Sequence, residues 1–287
     1  MPDETPAAPS EDIVLYEQRD AVAIVTMNRP RYHNAQNAKM TYALDAAFLR
    51  AVNDDSVKVI VLAGAGKNFS AGHDIGTPER DIHKPFERVA TTWYQHADKP
   101  GAENTYVREQ ELYLGMCRRW RELPKPTIAM VQGACIAGGL MLAWVCDLII
   151  ASDDAQFADP VVRMGIPGVE YFAHAHMLNP RQAKEFLFLG EKLDAARALS
   201  MGMINRVFPR AALETETLAI ARRISEMPRF GLALTKKAIN QAEDRMGLRD
   251  TMDATYALHH LAHAHNSLTS PDHLAGQDAK SMAKSLK

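Results

Sequence analysis

Two glycine-bearing turns in this sequence could bring backbone N–H groups close to a ligand. The first is Ser70-Ala71-Gly72-His73-Asp74-Ile75, and the second is the run 133–139, which ends in a glycine pair. Two backbone amides aimed at one point form an oxyanion hole, which stabilises negative charge on a reacting oxygen. Taken singly, the first turn fits an ordinary loop capped by Asp74, and the second fits close helix packing. The pair together favours a site for developing negative charge.

A third glycine-bearing stretch, Gly64-Ala65-Gly66-Lys67-Asn68-Phe69, superficially resembles a phosphate loop. No glycine stands five residues before Gly66, and Asn68 replaces the Ser or Thr of that loop. Phe69 occupies the third glycine position of a dinucleotide-binding fingerprint. The sequence therefore predicts neither nucleotide hydrolysis nor NAD binding.

Four histidines cluster near the C-terminal end, at positions 259, 260, 263 and 265. His259 and His263 share a helix face and could bind a metal ion. Zinc sites usually have three or four ligands, and no carboxylate or cysteine completes an obvious set in this part of the sequence. We therefore expect no metal and no separate cofactor, and a helix face at a subunit contact explains the cluster better.

The composition is that of a globular protein with a substantial core, since 47% of the 287 residues are apolar and 24% are charged. A net charge of −2 gives no basic field for nucleic acid or anionic lipid. The longest apolar run, 138–150, is interrupted by Asp147 and is too short to span a membrane. Three cysteines without paired spacing favour a reducing, cytoplasmic location. Residues 1–12 are predicted to be a disordered leader.

Strands and helices alternate along residues 13–208, which predicts an α/β fold with parallel strands and right-handed crossovers. The predicted strands are 13–16, 21–27, 57–63, 127–132 and 148–152, and the predicted helices are 37–52, 106–123 and a short one after Gly138. Residues 209–287 are predicted to be α-helical. The polar segment 77–104 has no sustained periodicity and is predicted to be a mobile insert over the site.

Several short motifs, in their order and spacing, resemble those of the crotonase superfamily, the enoyl-CoA hydratase/isomerase family. They are Asn28-Arg29-Pro30, Phe69 to Ile75, Gln132 to Gly139, Cys146-Asp147, Gln156 to Pro160 and Gly165 to Gly168. The resemblance implies a ββα-spiral core, an α-helical C-terminal trimerisation region, and a homotrimer or a dimer of trimers. It also implies an acyl-CoA substrate, so that coenzyme A enters only as part of that substrate.

Carried over by position, the resemblance makes the amides of His73 and Gly138 the donors to the thioester oxygen. Residues near the same motifs are then expected to contact substrate or CoA: Arg29, Lys67, Ala71, Asp74, Ile75 and Gly139. A thioester is acidic at its α-carbon, so stabilising charge on its oxygen serves isomerisation, addition, hydrolysis and decarboxylation alike. The hole therefore indicates the substrate class and leaves the reaction open.

The sequence departs from the family's hydratases at both catalytic glutamates, because Met141 and Val161 stand at those positions. Neither side chain can move a proton, which argues against two-glutamate hydration. Glu170 lies where some isomerases and dehalogenases of the family place a carboxylate. It could instead be a first-turn acid favoured by a helix dipole. His174 would then lie one helical turn beyond Glu170, able to orient it or share its proton.

These observations predict an acyl-CoA-processing enzyme, an isomerase or a lyase with a non-standard acid/base arrangement. It would stabilise a thioester enolate and serve fatty-acid or related acyl-CoA catabolism. The alternatives are a catalytically silent acyl-CoA-binding protein and a CoA-thioester hydrolase or decarboxylase.

Overall fold

The computed structural model describes residues 12–81, 93–94, 98–270, 276–278, 281 and 284. Its strands, in chain order, are β1 (Val14–Arg19), β2 (Val22–Met27), β3 (Val59–Gly64), β4 (Thr127–Val131), β5 (Ala134–Ile136), β6 (Leu148–Ser152), β7 (Gln156–Ala158), β8 (Leu193–Asp194) and β9 (Arg206–Phe208). The larger sheet has the order β1-β2-β3-β4-β6-β9, and β5-β7-β8 form a small second sheet. In the larger sheet, β1 and β2 are antiparallel and the other neighbours are parallel. The predicted parallel strands are therefore present, and β1 and β2 form an antiparallel hairpin at the edge of the sheet.

The helices follow the alternation that the sequence predicts and dominate the C-terminal part. They are α1 (Ala38–Asn53), α2 (Gly101–Glu109), α3 (Met116–Arg121), α4 (Gly138–Trp144), α5 (His174–Met177), α6 (Pro180–Leu189), α7 (Ala195–Ser200), α8 (Leu213–Ser225), α9 (Arg229–Arg245) and α10 (Leu248–Thr269). A π-helical stretch, Gln110–Gly115, joins α2 to α3. Among the described residues, no helix combines the length and apolar character needed to cross a membrane.

The central strand β3 is apolar throughout because both faces of the sheet are covered. Ile60 and Leu62 point into the main hydrophobic core, which also contains residues of α1, α4 and α10. Val59 and Val61 point the other way, into a second cluster closed by α8. Burial on both faces is what produces the continuous apolar run of a parallel strand, and it fixes the loop after β3 against the interior.

Side-chain caps set the starts of two C-terminal helices, α6 and α7. The Asn179 side chain accepts hydrogen bonds from the first-turn amides of α6, and Pro180 occupies the first helical position. Asp194 caps α7 in the same way. These caps fix the residues at which α6 and α7 begin.

The predicted insert differs from the structure at its C-terminal end. Residues 101–104 belong to α2, which begins at Gly101, so the irregular segment is shorter than 77–104. The predicted leader, apart from Asp12, lies outside the described residues, as do residues 82–92 and 95–97 of the insert. The short strands β5, β7, β8 and β9 are absent from the sequence-based prediction because two or three residues carry too little periodicity.

Candidate active site

Backbone hydrogen bonds join the loop after β3 to β5, which lies at the start of the second glycine turn. Ser70 and Cys135 form a parallel bridge. The Ser70 N–H donates to the Ala134 carbonyl, and the Ile136 N–H donates to the Ser70 carbonyl, both at 3.0 Å. The two glycine turns predicted from the sequence are thereby held side by side.

The backbone N–H of His73 points away from Gln36, with which His73 forms an isolated parallel β-bridge. The Gln36 N–H donates to the Gly72 carbonyl and the Asp74 N–H donates to the Gln36 carbonyl, so the His73 N–H faces the opposite side. Gly138 is the first residue of α4, and its N–H has no acceptor within that helix. Neither amide has a hydrogen-bond acceptor among the described residues. A Cβ on Gly72 would lie 3.1 Å from the Gly138 nitrogen, which shows how closely the turns approach.

The His73 side chain is clamped between the second glycine turn and an aromatic ring. Its imidazole stacks on Tyr113, with 3.7 Å between ring centroids and an interplanar angle of 7°. A Cβ on Gly138 would lie 2.5 Å from the His73 Cδ2. Burial lowers the pKa of His73 to about 4, so the ring is neutral at pH 7. The ring therefore fixes the position of its own backbone amide without adding charge.

Glu170 is the carboxyl group next to this ring. Its Oε1 lies 3.6 Å from the His73 Nδ1 and 3.9 Å from the His259 Nε2. The residue is 4% exposed. Burial, with the added negative charge of Glu109, raises the pKa of Glu170 to about 8. A buried acid beside a neutral imidazole is an arrangement in which a proton can be held or passed on.

Glu170 does not lie in the first turn of a helix, because α5 begins four residues later at His174. The helix-dipole alternative is therefore wrong, and so is the prediction that His174 lies one helical turn beyond Glu170. The His174 Nε2 lies 2.9 Å from the Asp159 Oδ2, which also accepts the Val169 N–H. Both side chains of this pair are fully buried. His174 is thus paired with Asp159 and anchors the loop that carries Glu170.

Met141 and Val161, which the family resemblance places where the hydratases carry glutamates, both pack against the main hydrophobic core. Met141 lies in the second turn of α4 and is 1% exposed, within the main core. Val161 begins a 3₁₀ turn and packs against the same core. A carboxylate at position 141 would need hydration or a cation that this packing does not offer, whereas Val161 is half-buried.

Arg29 and Asp74 are structural, which corrects the expectation that they contact substrate or CoA. The Arg29 guanidinium donates to Asp74 and Glu79, each at 2.9 Å, and also to the Ala35 carbonyl. The side chains of Arg29 and Asp74 are 5% and 0% exposed. The sequence gives the charge of Arg29 but not its burial, and a buried, paired guanidinium cannot reach a CoA phosphate. The pair instead ties the oxyanion loop to the turn before α1.

The remaining residues predicted to bind substrate differ in how exposed they are. Lys67 and Ala71 are exposed and Ile75 is half-buried, so the three stay accessible for substrate contact. Gly139 is buried against the backbone of Ser70, where a Cβ would collide with the Ser70 carbonyl. For Gly139, the close-packing alternative explains the residue.

Two residues of this site, Tyr113 and Glu109, were not predicted from the sequence. Both lie at the junction of α2 with the π-helical stretch, where the widened turn rotates side chains away from ordinary helical spacing. The available signal was three charged residues, Arg108, Glu109 and Glu111, directly before the apolar run 112–117. All three are buried.

The chain matches one family profile and is similar in sequence to known proteins. The profile described as "Enoyl-CoA hydratase/isomerase" matches residues 17–273 of the chain. "Putative enoyl-CoA hydratase EchA13" of Mycobacterium tuberculosis is 41% identical over 265 residues, covering 88% of this chain and 81% of that protein. The human "Enoyl-CoA hydratase domain-containing protein 3, mitochondrial" is 32% identical over 227 residues, covering 76% of this chain and 66% of the human protein.

Solved structures agree with the sequence matches. A probable enoyl-CoA hydratase from Mycobacterium smegmatis superposes with a TM-score of 0.82 at 42% identity, over 92% of this chain and 99% of that one. An enoyl-CoA hydratase/isomerase from Xanthobacter autotrophicus Py2 gives a TM-score of 0.77 at 30% identity, over 92% and 91% of the two chains. The spiral fold predicted from the motifs is therefore confirmed.

Proposed function

Because the chain belongs to the enoyl-CoA hydratase/isomerase family, we propose that it binds an acyl-CoA thioester and catalyses proton transfer at the acyl chain. The reaction is a double-bond isomerisation, or an addition/elimination with a non-standard acid/base arrangement. The observation that carries this proposal is Glu170, a buried carboxyl 3.6 Å from the ring of the residue whose amide forms half of the hole.

The thioester oxygen accepts hydrogen bonds from the amides of His73 and Gly138. The ionised form of Glu170, which a pKa of about 8 makes the minor form at pH 7, takes a proton from the α-carbon, and the electron pair of that C–H bond moves into the thioester to form an enolate. The two amides stabilise the negative charge on oxygen, where it is greatest in the transition state. Glu170, now protonated, returns the proton to the α-carbon or to the γ-carbon of an unsaturated chain, and return to the γ-carbon shifts the double bond.

The neutral imidazole of His73 contributes to catalysis by holding the His73 backbone in place. Its stacking on Tyr113 holds the His73 backbone, so the amide keeps its direction while charge develops on the substrate. A protonated ring in the same place would compete with the substrate for the Glu170 carboxylate. The burial that keeps the ring neutral therefore leaves Glu170 available for the α-proton.

Hydration by two glutamates is not supported, since Met141 and Val161 replace both. The same replacement supports one alternative of another class, a protein that binds acyl-CoA without converting it. The two functions differ in whether Glu170 exchanges a substrate proton.

Proton exchange at the α-carbon tests the proposal without knowledge of the physiological acyl group. Butanoyl-CoA is incubated with the protein in D₂O, and deuterium uptake is followed by mass spectrometry. The wild-type chain is expected to catalyse uptake, and Glu170→Gln to lose about 10²-fold or more of that rate, the range for a general base. Glu226→Gln, the same change at an exposed residue, is the control and is expected to retain the rate.

Uptake that is unchanged in Glu170→Gln would refute the assignment of the base. Binding of butanoyl-CoA by calorimetry, with no exchange and no product from a panel of enoyl-CoA thioesters, would favour the silent binding protein.

A further inference from the structure

The histidine cluster of α10 faces a carboxylate that lies far away in the sequence. Glu109, the last residue of α2, points its carboxylate at His259 and His263, which lie one turn apart on α10. The Glu109 Oε2 is 3.3 Å from the His259 Nε2, and its Oε1 is 3.6 Å from the His263 Nε2. The two Nε2 atoms are 3.0 Å apart. The third ligand that the sequence appeared to lack is therefore present in the fold.

These distances are those between the ligands of one metal ion. Ligand atoms that sit about 2.0–2.1 Å from a tetrahedral zinc ion are about 3.3 Å from one another. The two imidazole nitrogens are 3.0 Å apart, one Glu109 oxygen is 3.3 Å from His259, and the other is 3.6 Å from His263. With one ligand atom taken from each residue, the three atoms all lie within 4.8 Å of one another, and binding an ion would bring one Glu109 oxygen closer to both imidazoles.

The tautomer of His259 is also the one that a metal ligand needs. Its Nδ1 lies 2.8 Å from the Gly168 carbonyl, to which it donates a hydrogen bond. In the neutral ring this leaves a lone pair on Nε2, aimed at Glu109 and His263. A backbone carbonyl that accepts the second N–H of a ligating histidine is the usual outer partner in metal sites.

Within the part of the chain that the structure describes, the Glu109 Oε2 and the His260 Nε2 make no hydrogen bond of suitable angle, although both lie within ion-pair distance of this cluster. They are 3.2 Å apart, and His260 is 9% exposed. A buried carboxylate facing lone pairs of imidazoles needs a cation between them, either a proton or a metal ion.

We propose that Glu109, His259 and His263 bind one divalent transition-metal ion of the zinc class, with His260 packed against the carboxylate. Two imidazoles and one carboxylate are a ligand set that zinc and its neighbours accept. Three protein ligands leave a coordination position for water or a small ligand, as in metal sites that take part in reactions. This site adjoins Glu170, whose Oε1 is 3.9 Å from the His259 Nε2, but it is inferred from the ligand geometry and not from the proposed proton transfer.

Metal binding is measured on the full-length chain without a histidine tag, after removal of metals with a chelator. Zn²⁺ and Co²⁺ are titrated by equilibrium dialysis with elemental analysis, and the Co²⁺ complex is followed by its visible absorption. We expect one ion per chain and a Co²⁺ spectrum of four- or five-coordination. His263→Gln is expected to weaken binding by about 100-fold or more, since one of three ligands is lost.

His265→Gln is the matched control, because His265 is an exposed histidine on the same helix and is expected to leave affinity unchanged. Glu109→Gln is a second test. If this substitution of a buried residue prevents folding, His263→Gln still tests the site, because the His263 side chain is 33% exposed. Failure of the wild-type chain to bind either ion at micromolar concentration would overturn the proposal. Equal affinity in wild type and His263→Gln would overturn it as well. Deuterium exchange into butanoyl-CoA is scored separately, so the two proposals can fail independently.

Discussion

Adding a single methyl group at Gly138 is expected to damage the oxyanion hole more than the fold. The new Cβ would lie 2.5 Å from the His73 Cδ2 and 2.6 Å from its Nε2. Carbon atoms in favourable contact are about 3.5–4.0 Å apart, so the ring would have to move by about 1 Å. Tyr113 stacks on the ring at 3.7 Å and blocks that movement. The His73 backbone, and with it one donor of the hole, is therefore displaced.

The magnitude follows from the donor that is lost. Removing one hydrogen bond of an oxyanion hole costs about 2.7–4 kcal/mol of barrier, or about 10²–10³ in kcat. We expect Gly138→Ala to slow deuterium exchange into butanoyl-CoA by that factor. Circular dichroism and a thermal melt should show that the variant stays folded. Gly76→Ala is the control, because a Cβ at Gly76 meets nothing within 4 Å.

A second substitution shows whether the His73 ring is the cause. His73→Ala keeps the backbone amide but removes the ring that the new methyl group strikes. The penalty of Gly138→Ala should therefore shrink to less than about tenfold in the His73→Ala background, which is a coupling between contacting residues. An exchange rate in Gly138→Ala within about twofold of wild type would refute the reasoning about the hole. A penalty that is equal in both backgrounds would refute the role of the ring.

Three further predictions concern stability and assembly. Arg29→Met should lower the free energy of unfolding by about 3–5 kcal/mol in urea, because it leaves the Asp74 carboxylate buried without its partner. Arg19→Met, which breaks an exposed ion pair, should cost less than about 1 kcal/mol. Since the folded pKa of His73 is about 4 and the unfolded value about 6.5, its stabilising contribution is complete above pH 6.5 and is lost as the pH falls. Between pH 7 and 5, wild type should therefore lose about 2 kcal/mol more than His73→Gln, and an equal loss would contradict the burial argument. Light scattering at micromolar concentration should give a trimer or hexamer, and a monomer would contradict the assembly expected from the family resemblance.

The sequence was sufficient for the features that depend on local pattern. Strand β3 could be predicted because burial on both faces leaves an apolar run, and the caps at Asn179 and Asp194 because they act within one turn. The two glycine turns were visible because close backbone approach requires glycine at a few fixed positions.

Features that depend on contacts between distant segments could not be predicted in the same way. The burial of Arg29 follows from Asp74 and Glu79, which only the folded loops bring to it. His174 was assigned to Glu170 on the assumption of a helix that the chain does not form there. Glu109 meets α10 across about 150 residues of sequence, after a π-helical turn that changes the helical spacing.

The central claim is that the His73 and Gly138 amides polarise a thioester carbonyl, and the vibration of that carbonyl reports it directly. Butanoyl-CoA carrying ¹³C at the thioester carbon is bound to the protein, and the isotope-edited infrared band is compared with that of the free compound. We expect the band to shift to lower wavenumber in wild type, and the shift to be reduced in Gly138→Ala and retained in Gly76→Ala. A band at the solution position in the wild-type complex, with binding saturated, would show that the two amides do not polarise the carbonyl.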